Sequence, residues 1–378
     1  MRIHIVGAGP AGLYFALLMK QQDPAHRITV IERDGPDDTY GWGIVFSGRT
    51  LSSFAEADPA SHAAITAAFE AWDNVDIVHR GEKISVRGNR FSGISRVAFL
   101  NILQRRCLDL GVEIRFRTPV DDVAPWREAD LLVGADGANS LVRRTFADAF
   151  GPTLEAGRNK YIWLGTHRLF HGLTLTFRES EAGLFAAHSY KFSPTTSTFI
   201  VECVGDTFER GGFERLGEPE TLAALERVFA ADLAGEPLLS NNFVRWLQFT
   251  IVKNRRWVHD NVVLLGDALH TAHFSIGSGT KLAVEDAIAL SRALAGGGAV
   301  REGLAAFERD RKPVVDRLQA AAQSSLSWFE NARTRMHLDP IPLAHELMTR
   351  SERIDDAKLR ERDPEFMRRY DAWRTERA

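Results

Sequence analysis

The sequence predicts an α/β protein: a parallel-sheet unit at the N-terminus, an antiparallel β-sheet unit set into it, and helices at the C-terminus. Three observations predict this. The chain opens on "RIHIVGAGPAGLYFALLMKQQDPAHRITVIER", in which two apolar, β-branched runs flank a glycine turn and an apolar helical stretch. Two later apolar runs, "ADLLVGADG" (129–137) and "DNVVLLGDA" (260–268), each lead into a turn of glycine and aspartate. Between them lie four strand-like runs separated by turn residues.

Composition bounds the rest. The chain has 378 residues and is 44% hydrophobic, enough for one large domain or two modest ones with a sizeable core. A net charge of −3 gives no global pull toward nucleic acid or a membrane surface, and neither is expected as a partner. Two cysteines, Cys107 and Cys203, form no CxxC pair and no framework, so they read as reduced thiols. The N-terminus enters an apolar strand with no basic leader, and no apolar run approaches the ~18–20 residues of a membrane span. A cytoplasmic protein without a metal site is the expectation.

The first unit is a βαβ motif with G-x-G-x-x-G at its turn. Gly7 permits the tight turn, Gly9 lets the backbone approach a pyrophosphate, and Gly12 lets helix and strand pack closely. With Pro10 and Ala11 these place bare N–H groups and the positive end of a helix dipole at the phosphates. Glu32 and Arg33 follow the second strand. An acid there bonds a ribose hydroxyl and disfavours a 2′-phosphate, so the held dinucleotide is FAD or NAD. The two downstream motifs favour the flavin, whose ribityl chain and three-ring head reach past the first βαβ unit. Asp136 and Gly266-Asp267 stand at strand ends, and Asp267 can accept from ribityl hydroxyls. Gly277, Ser278, Gly279 and Thr280 lead into a helix whose N-terminus favours the anionic pyrimidine edge of reduced flavin. Arg96 heads the amphipathic helix "SRVAFLNILQRRC" and can reach the pyrophosphate.

The order of these motifs resembles a known family. G-x-G-x-x-G, then Arg96 with Phe99, Leu100 and Leu103, then G-A-D-G (134–137) and G-D-A (266–268) is similar to the single-component FAD-dependent aromatic hydroxylases, the p-hydroxybenzoate hydroxylase-like group. The resemblance implies a Rossmann-like FAD-binding domain with an interleaved antiparallel β-sheet substrate domain and C-terminal helices. The corresponding boundaries are 1–75, 96–155 and 257–300 for the FAD-binding domain, 76–95 and 156–256 for the substrate domain, and 301–378 for the helical segment. It implies tightly bound FAD, with NADH or NADPH and O2 as co-substrates, and ring hydroxylation by a flavin C4a-hydroperoxide. One departure lies in the G-D-A segment, where the family usually has prolines and this chain has His273 and Phe274.

Within the family, "DPAH", "DDTYGWG" and "SIGSGTKLA" are most similar to hydroxylases of aryl-CoA thioesters, over roughly residues 1–330. This implies 5-hydroxylation of salicyloyl-CoA to gentisyl-CoA. The alternative is an indole or tryptophan-derived metabolite, as in the violacein pathway; a halogenase and a non-catalytic FAD-binding protein are disfavoured. Monomer and homodimer both stay open.

Candidate catalytic residues follow from pattern. His188, Tyr190 and Phe192 share one strand face by alternation. His188, His273 and His270 are candidate bases, and Tyr190 is a pocket-wall candidate. Trp42, between Gly41 and Gly43, is expected along the flavin edge. The basic stretches 253–257 and 330–336 are candidates for the CoA phosphates. Pro313 is expected to kink or break its helix, and the charged sequence from 350 onward reads as a solvated helical tail or as a subunit contact.

Overall fold

The computed structural model describes residues 1–39, 41–241 and 245–377, without the side chains of Arg49 and Thr50. A six-stranded sheet runs in the order Val258–His259, Val262–Leu264, Leu131–Gly134, Arg2–Val6, Arg27–Ile31, Glu113–Arg115. All its pairings are parallel except the short one between Val258–His259 and Val262–Leu264. Ile3, Ile5, Leu131, Leu132, Val262 and Val263 are fully buried, as a parallel sheet covered on both faces requires. Register is what matters for the site. Val6 lies opposite Gly134, and Gly134 opposite Leu264. Three motifs spread over more than 250 residues therefore open side by side at the carboxyl ends of three adjacent strands. Open α/β sheets bind ligands there.

The helix Pro10–Gln22 starts on a proline at its first turn, where no N–H is needed. Ala11 through Met19 are all buried, because the helices Arg96–Asp109 and Gly279–Leu294 pack against it.

The second sheet has eight strands: Leu238–Leu239, Pro152–Thr166, Ser197–Val204, Gly183–Lys191, Leu173–Ser180, Val75–His79 and Glu82–Val86 in order, with Leu247–Asn254 alongside Pro152–Thr166. The four strands expected from the sequence are there and antiparallel, but Val75–His79 pairs parallel with Leu173–Ser180. Phe91–Ser95 does not join this sheet; it pairs with Gly43–Ser47 and Glu70–Trp72. One face packs Ile162, Phe185 and Phe199 against Leu225 and Phe229.

Against the other face lies a surprise. The charged C-terminal sequence is not a solvated tail. Leu343, Leu347, Leu359, Phe366 and Met367 are buried against Val75, Ile77, Leu175 and Phe177 of the sheet. Three short helices dock here, Pro340–Thr349, Asp356–Arg362 and Pro364–Thr375; the first presents an apolar stripe of Leu343, Ala344, Leu347 and Met348, while in the other two charges occupy the outer face and the apolar residues are too sparse to read as a stripe. Nor does Pro313 break its helix, which runs from Val300 to Glu330. Pro313 is exposed, so water can satisfy the carbonyl it leaves unpaired, while Arg311 and Val315 anchor the opposite face.

Candidate active site

The strand ends, the glycine loops, one face of the second sheet and the turn after Pro340–Thr349 enclose a cavity of about 1950 Å³. Ordinary small-molecule pockets reach ~1,000 Å³, so there is room for more than one ligand.

The dinucleotide end is made of backbone. Gly7 has φ 104°, and a Cβ there would sit 2.3 Å from the Ala135 carbonyl oxygen. A Cβ on Gly12 would sit 2.1 Å from the Gly7 oxygen. Gly9 differs: a Cβ there meets nothing within 4 Å, and the same is true of Gly137, Gly277 and Gly279. The first two glycines are thus required by the protein's own packing, and the others border open space along the cavity. Gly266 has φ 59°, and a Cβ there would sit 3.0 Å from the Ala11 Cβ. Gly277 takes the left-handed conformation that ends the turn Phe274–Ile276, and Ser278 caps the helix Gly279–Leu294, whose N-terminus with Thr280 opens on the cavity.

The polar side chains here divide by what already engages them. Glu32 accepts from the backbone N–H groups of Ala8 (2.7 Å) and Asp34 (3.0 Å), tying together the loops that follow two neighbouring strands. Arg33 lies at the rim. The Asp136 carboxylate accepts from the N–H groups of Leu141 (2.6 Å) and Val142 (3.1 Å) and from Ser140 Oγ (2.5 Å). It caps the helix Leu141–Thr145, so its anionic charge is already used. Arg96 Nε donates to Thr39 Oγ1 at 2.9 Å. Asp267 is the exception. Its carboxylate faces the cavity and accepts no hydrogen bond from any described residue. Burial pushes its pKa up, with Arg96 pulling the other way. An enclosed carboxylate without donors calls for a ligand that brings them, and a ribityl chain is such a ligand. Open glycines, a helix N-terminus and a carboxylate lacking donors fit FAD.

The other end is made of side chains. Tyr161, Trp163, Phe249 and Phe274 line it with Leu175, Ile200 and His188. The Tyr161 and Phe274 rings are 5.0 Å apart, and His188 meets Phe274 edge-on at 5.3 Å. His188 Nε2 is 2.6 Å from Glu202 Oε1, and Glu202 Oε2 accepts from Asn159 Nδ2 at 2.9 Å. Met348, Arg350 and residues 351–354 close this end from the C-terminal side.

Comparison with known proteins agrees with this geometry. A family profile described as FAD binding domain matches residues 110–322. A second, described as lycopene cyclase protein, matches residues 3–184. Salicyloyl-CoA 5-hydroxylase of a Streptomyces species is 41% identical over 99% of this chain and 74% of its own length. The chain belongs to the FAD-dependent aromatic hydroxylases. Within that family, 3-hydroxy-4-methyl-anthranilyl-[aryl-carrier protein] 5-monooxygenase of Streptosporangium sibiricum is 38% identical, covering 87% of this chain and 89% of the relative. Protodeoxyviolaceinate monooxygenase of Chromobacterium violaceum is 36% identical, covering 89% and 91%. The fold is that of 2-methyl-3-hydroxypyridine-5-carboxylic acid oxygenase, with a TM-score of 0.70 at 19% identity over 92% of this chain and 95% of that one.

For this hydroxylase the structure sorts the catalytic candidates. His188 and Tyr190 are buried and line the cavity. The Tyr190 hydroxyl donates to the Gly43 carbonyl at 2.8 Å and its ring stacks on Trp72; burial pushes its pKa up, so it holds the loop as a neutral phenol. Trp42 does not line the cavity. Its indole packs over Gly165, where a Cβ would come within 2.8 Å, and Trp163 is the indole at the cavity near Gly41. His273 does not line it either. Its Nδ1 bonds Ser275 Oγ at 2.8 Å, and burial lowers its pKa to about 4, leaving it neutral. His270 lies behind the wall, 2.7 Å from Asp286. The stretches 253–257 and 330–336 contribute no cavity-lining residue; Arg256 pairs with Glu308 and Arg335 with Glu346. Sequence reading missed Glu202, although a lone acid in "STFIVECV" is a visible signal. It also missed Arg350, whose setting depends on how the C-terminal helices dock.

No described helix is long and apolar enough to cross a membrane, and no metal-binding cluster occurs among the described residues.

Proposed function

We propose that this hydroxylase acts on an aryl-CoA thioester, adding oxygen to carbon 5 of salicyloyl-CoA to give gentisyl-CoA. What carries the reading is the cavity's continuity from the aromatic wall to a cationic rim, together with the 41% identical relative named for that reaction. Leu175 lies opposite His188 and Leu173 opposite Val75, so the lining crosses two strand spacings, ~10 Å, along the sheet. Beyond Val75 it reaches Arg90, Lys358 and Arg362. That rim suits the phosphates of a CoA tail, while the aryl head lies among Tyr161, Phe249 and Phe274.

FAD, reduced by NADH or NADPH and reacting with O2, supplies the electrophilic oxygen when bound. The chain's own residues do the rest. Gly9 and the N-terminus of Gly279–Leu294 hold the phosphate and pyrimidine ends, and Asp267 accepts from the ribityl hydroxyls. The aromatic wall orients the ring and excludes water, which matters because uncoupled turnover wastes the nicotinamide. His188 accepts the proton of the aryl hydroxyl. That raises electron density para to it, at the position left open by the thioester.

Product mass spectra from a panel of aryl-CoA esters, with NADH and NADPH in separate reactions, test the assignment. A product 16 mass units heavier from salicyloyl-CoA is expected, by the addition of one oxygen atom. Turnover of free indolic substrates with none of the CoA esters would replace the thioester reading with the indole one.

A further inference from the structure

Glu202 is the one charged residue in the strand Ser197–Val204 and is 1% exposed. Burying a carboxylate is costly unless it is well bonded, and this one is bonded by two side chains from two neighbouring strands. The register explains how they meet. His188 lies opposite Ile200, so Glu202 is its diagonal neighbour on the same face. Asn159 comes from the strand on the other side, opposite Val204, and is Glu202's diagonal neighbour there. The imidazole is also clamped between Phe274 and Phe329, whose rings lie 5.3 and 4.7 Å away.

The two nitrogens of His188 differ. Nε2 faces Glu202. Nδ1 bonds no described residue, yet it is not among the sealed, unpartnered polar atoms, so it is open to the cavity that His188 lines. A carboxylate can only accept, so the Nε2 position must carry hydrogen. In neutral imidazole the lone pair then lies on Nδ1.

We infer that Glu202 is a positioning residue: it holds His188 as the Nε2–H tautomer and so presents the Nδ1 lone pair to the substrate hydroxyl. The inference rests on the hydroxylase reading above and adds to it the residue that makes His188 a base. In the step it supports, the aryl O–H bond breaks and an Nδ1–H bond forms. The electron pair stays on the oxygen. The resulting imidazolium is paired with the Glu202 carboxylate, and the proton returns when the product hydroxyl re-forms. A carboxylate behind an imidazole does the same in hydrolytic triads, by orienting the ring and stabilising its charged form.

The surrounding groups are compatible with this. Burial raises the Glu202 pKa, but its bond to His188 and the nearby His273 bring it below the ordinary carboxylate range, so it stays anionic. His273 is neutral. Arg350, from the C-terminal side, is lowered by burial to about 10 and remains charged; it is held by Ser325 Oγ (2.9 Å) and the Ser275 carbonyl (2.6 Å). Among these groups His188 is the one placed to exchange a proton with a ligand.

Two measurements on the FAD-loaded protein test this. In protein labelled with 15N-histidine, the His188 resonance, assigned by its loss in His188→Gln, should show a protonated Nε2 and a bare Nδ1. A proton on Nδ1 in place of Nε2 overturns the inference, with no substrate needed. In Glu202→Gln, with salicyloyl-CoA as probe, FAD content should be unchanged and nicotinamide oxidation should continue. Hydroxylated product per nicotinamide should fall at least tenfold, and Glu202→Asp should recover part of it. Unchanged coupling in Glu202→Gln also overturns it. A wild-type protein that turns over no CoA ester but shows the Nε2–H form would sink the thioester reading and support the Glu202 assignment.

Discussion

At the dinucleotide end the cavity wall is backbone, bent by glycines into a shape that a bare chain can take. At the aromatic end the wall is side chains, brought in from five strands of the second sheet, a loop after the parallel sheet and a turn near residue 350. The first is specified within short stretches of sequence, because each turn needs particular residues at fixed spacing. The second has no local signature, because neighbours such as His188, Glu202 and Arg350 meet only after the sheet has formed and the C-terminal helices have docked. A cofactor cradle can therefore be shared across a family while the substrate wall is rebuilt around it.

The sharpest way to break this contrast is within the glycine turn itself. Gly12→Val places its side chain against the Gly7 carbonyl, 2.1 Å from the Cβ position, and should cost upwards of ~4 kcal/mol, enough to prevent recovery of folded protein. Gly9→Val faces open space and should melt normally while losing most of its flavin. Thermal denaturation and visible flavin absorbance separate the two. Full flavin content in Gly9→Val would end the claim that this position faces the cofactor.

The side-chain end is tested next through its buried support. Leu347 is 0% exposed between the C-terminal helices and the sheet. Leu347→Ala should cost about 2–5 kcal/mol in urea denaturation. A loss within ~0.5 kcal/mol would mean that the C-terminal helices are as dispensable as their charge pattern suggests. A smaller effect is expected of Asp267→Ala. Removing an acceptor for the ribityl hydroxyls should weaken FAD by ~1–3 kcal/mol, about 5- to 150-fold in Kd by flavin titration, with normal folding. Equal affinity would show that the unpartnered carboxylate serves something else.

A further test uses pH. Burial holds the His273 pKa at about 4, below the ordinary value of 6.5. The unfolded chain therefore binds a proton between about pH 6.5 and 4 that the folded chain does not. Stability from this residue is lost as pH falls through that window, by up to ~1.4 kcal/mol per pH unit. His273→Gln should flatten that part of the stability curve. An unchanged slope would mean that His273 is charged in the fold and belongs with the reactive groups after all.

Legibility in the sequence followed the same division. The roles expected of Gly7 and Gly12 were readable because steric exclusion acts over a few residues, and the structure has the close contacts those roles demand. His188 was readable as a candidate but not separable from His270 and His273. All three are buried histidines, and only cavity lining tells them apart. Trp42 was misplaced because a glycine-flanked indole looks the same in sequence whether it faces a ligand or a neighbouring strand. The C-terminal helices were misread because their charges outnumber the few apolar residues that dock.

The sequence by itself determined the βαβ unit and the glycine turns, since backbone sterics and apolar periodicity are local. It also carried the family, in motifs whose order runs from Gly7 to Ala268. Tertiary structure alone decided that three of those turns open at adjacent strand ends, that Asp267 has no donor among the described residues, and that Glu202 stands behind His188. The reason is physical: a side chain's partners, its exposure to the cavity and hence its chemistry are properties of packing between distant segments, and no spacing along the chain encodes them directly.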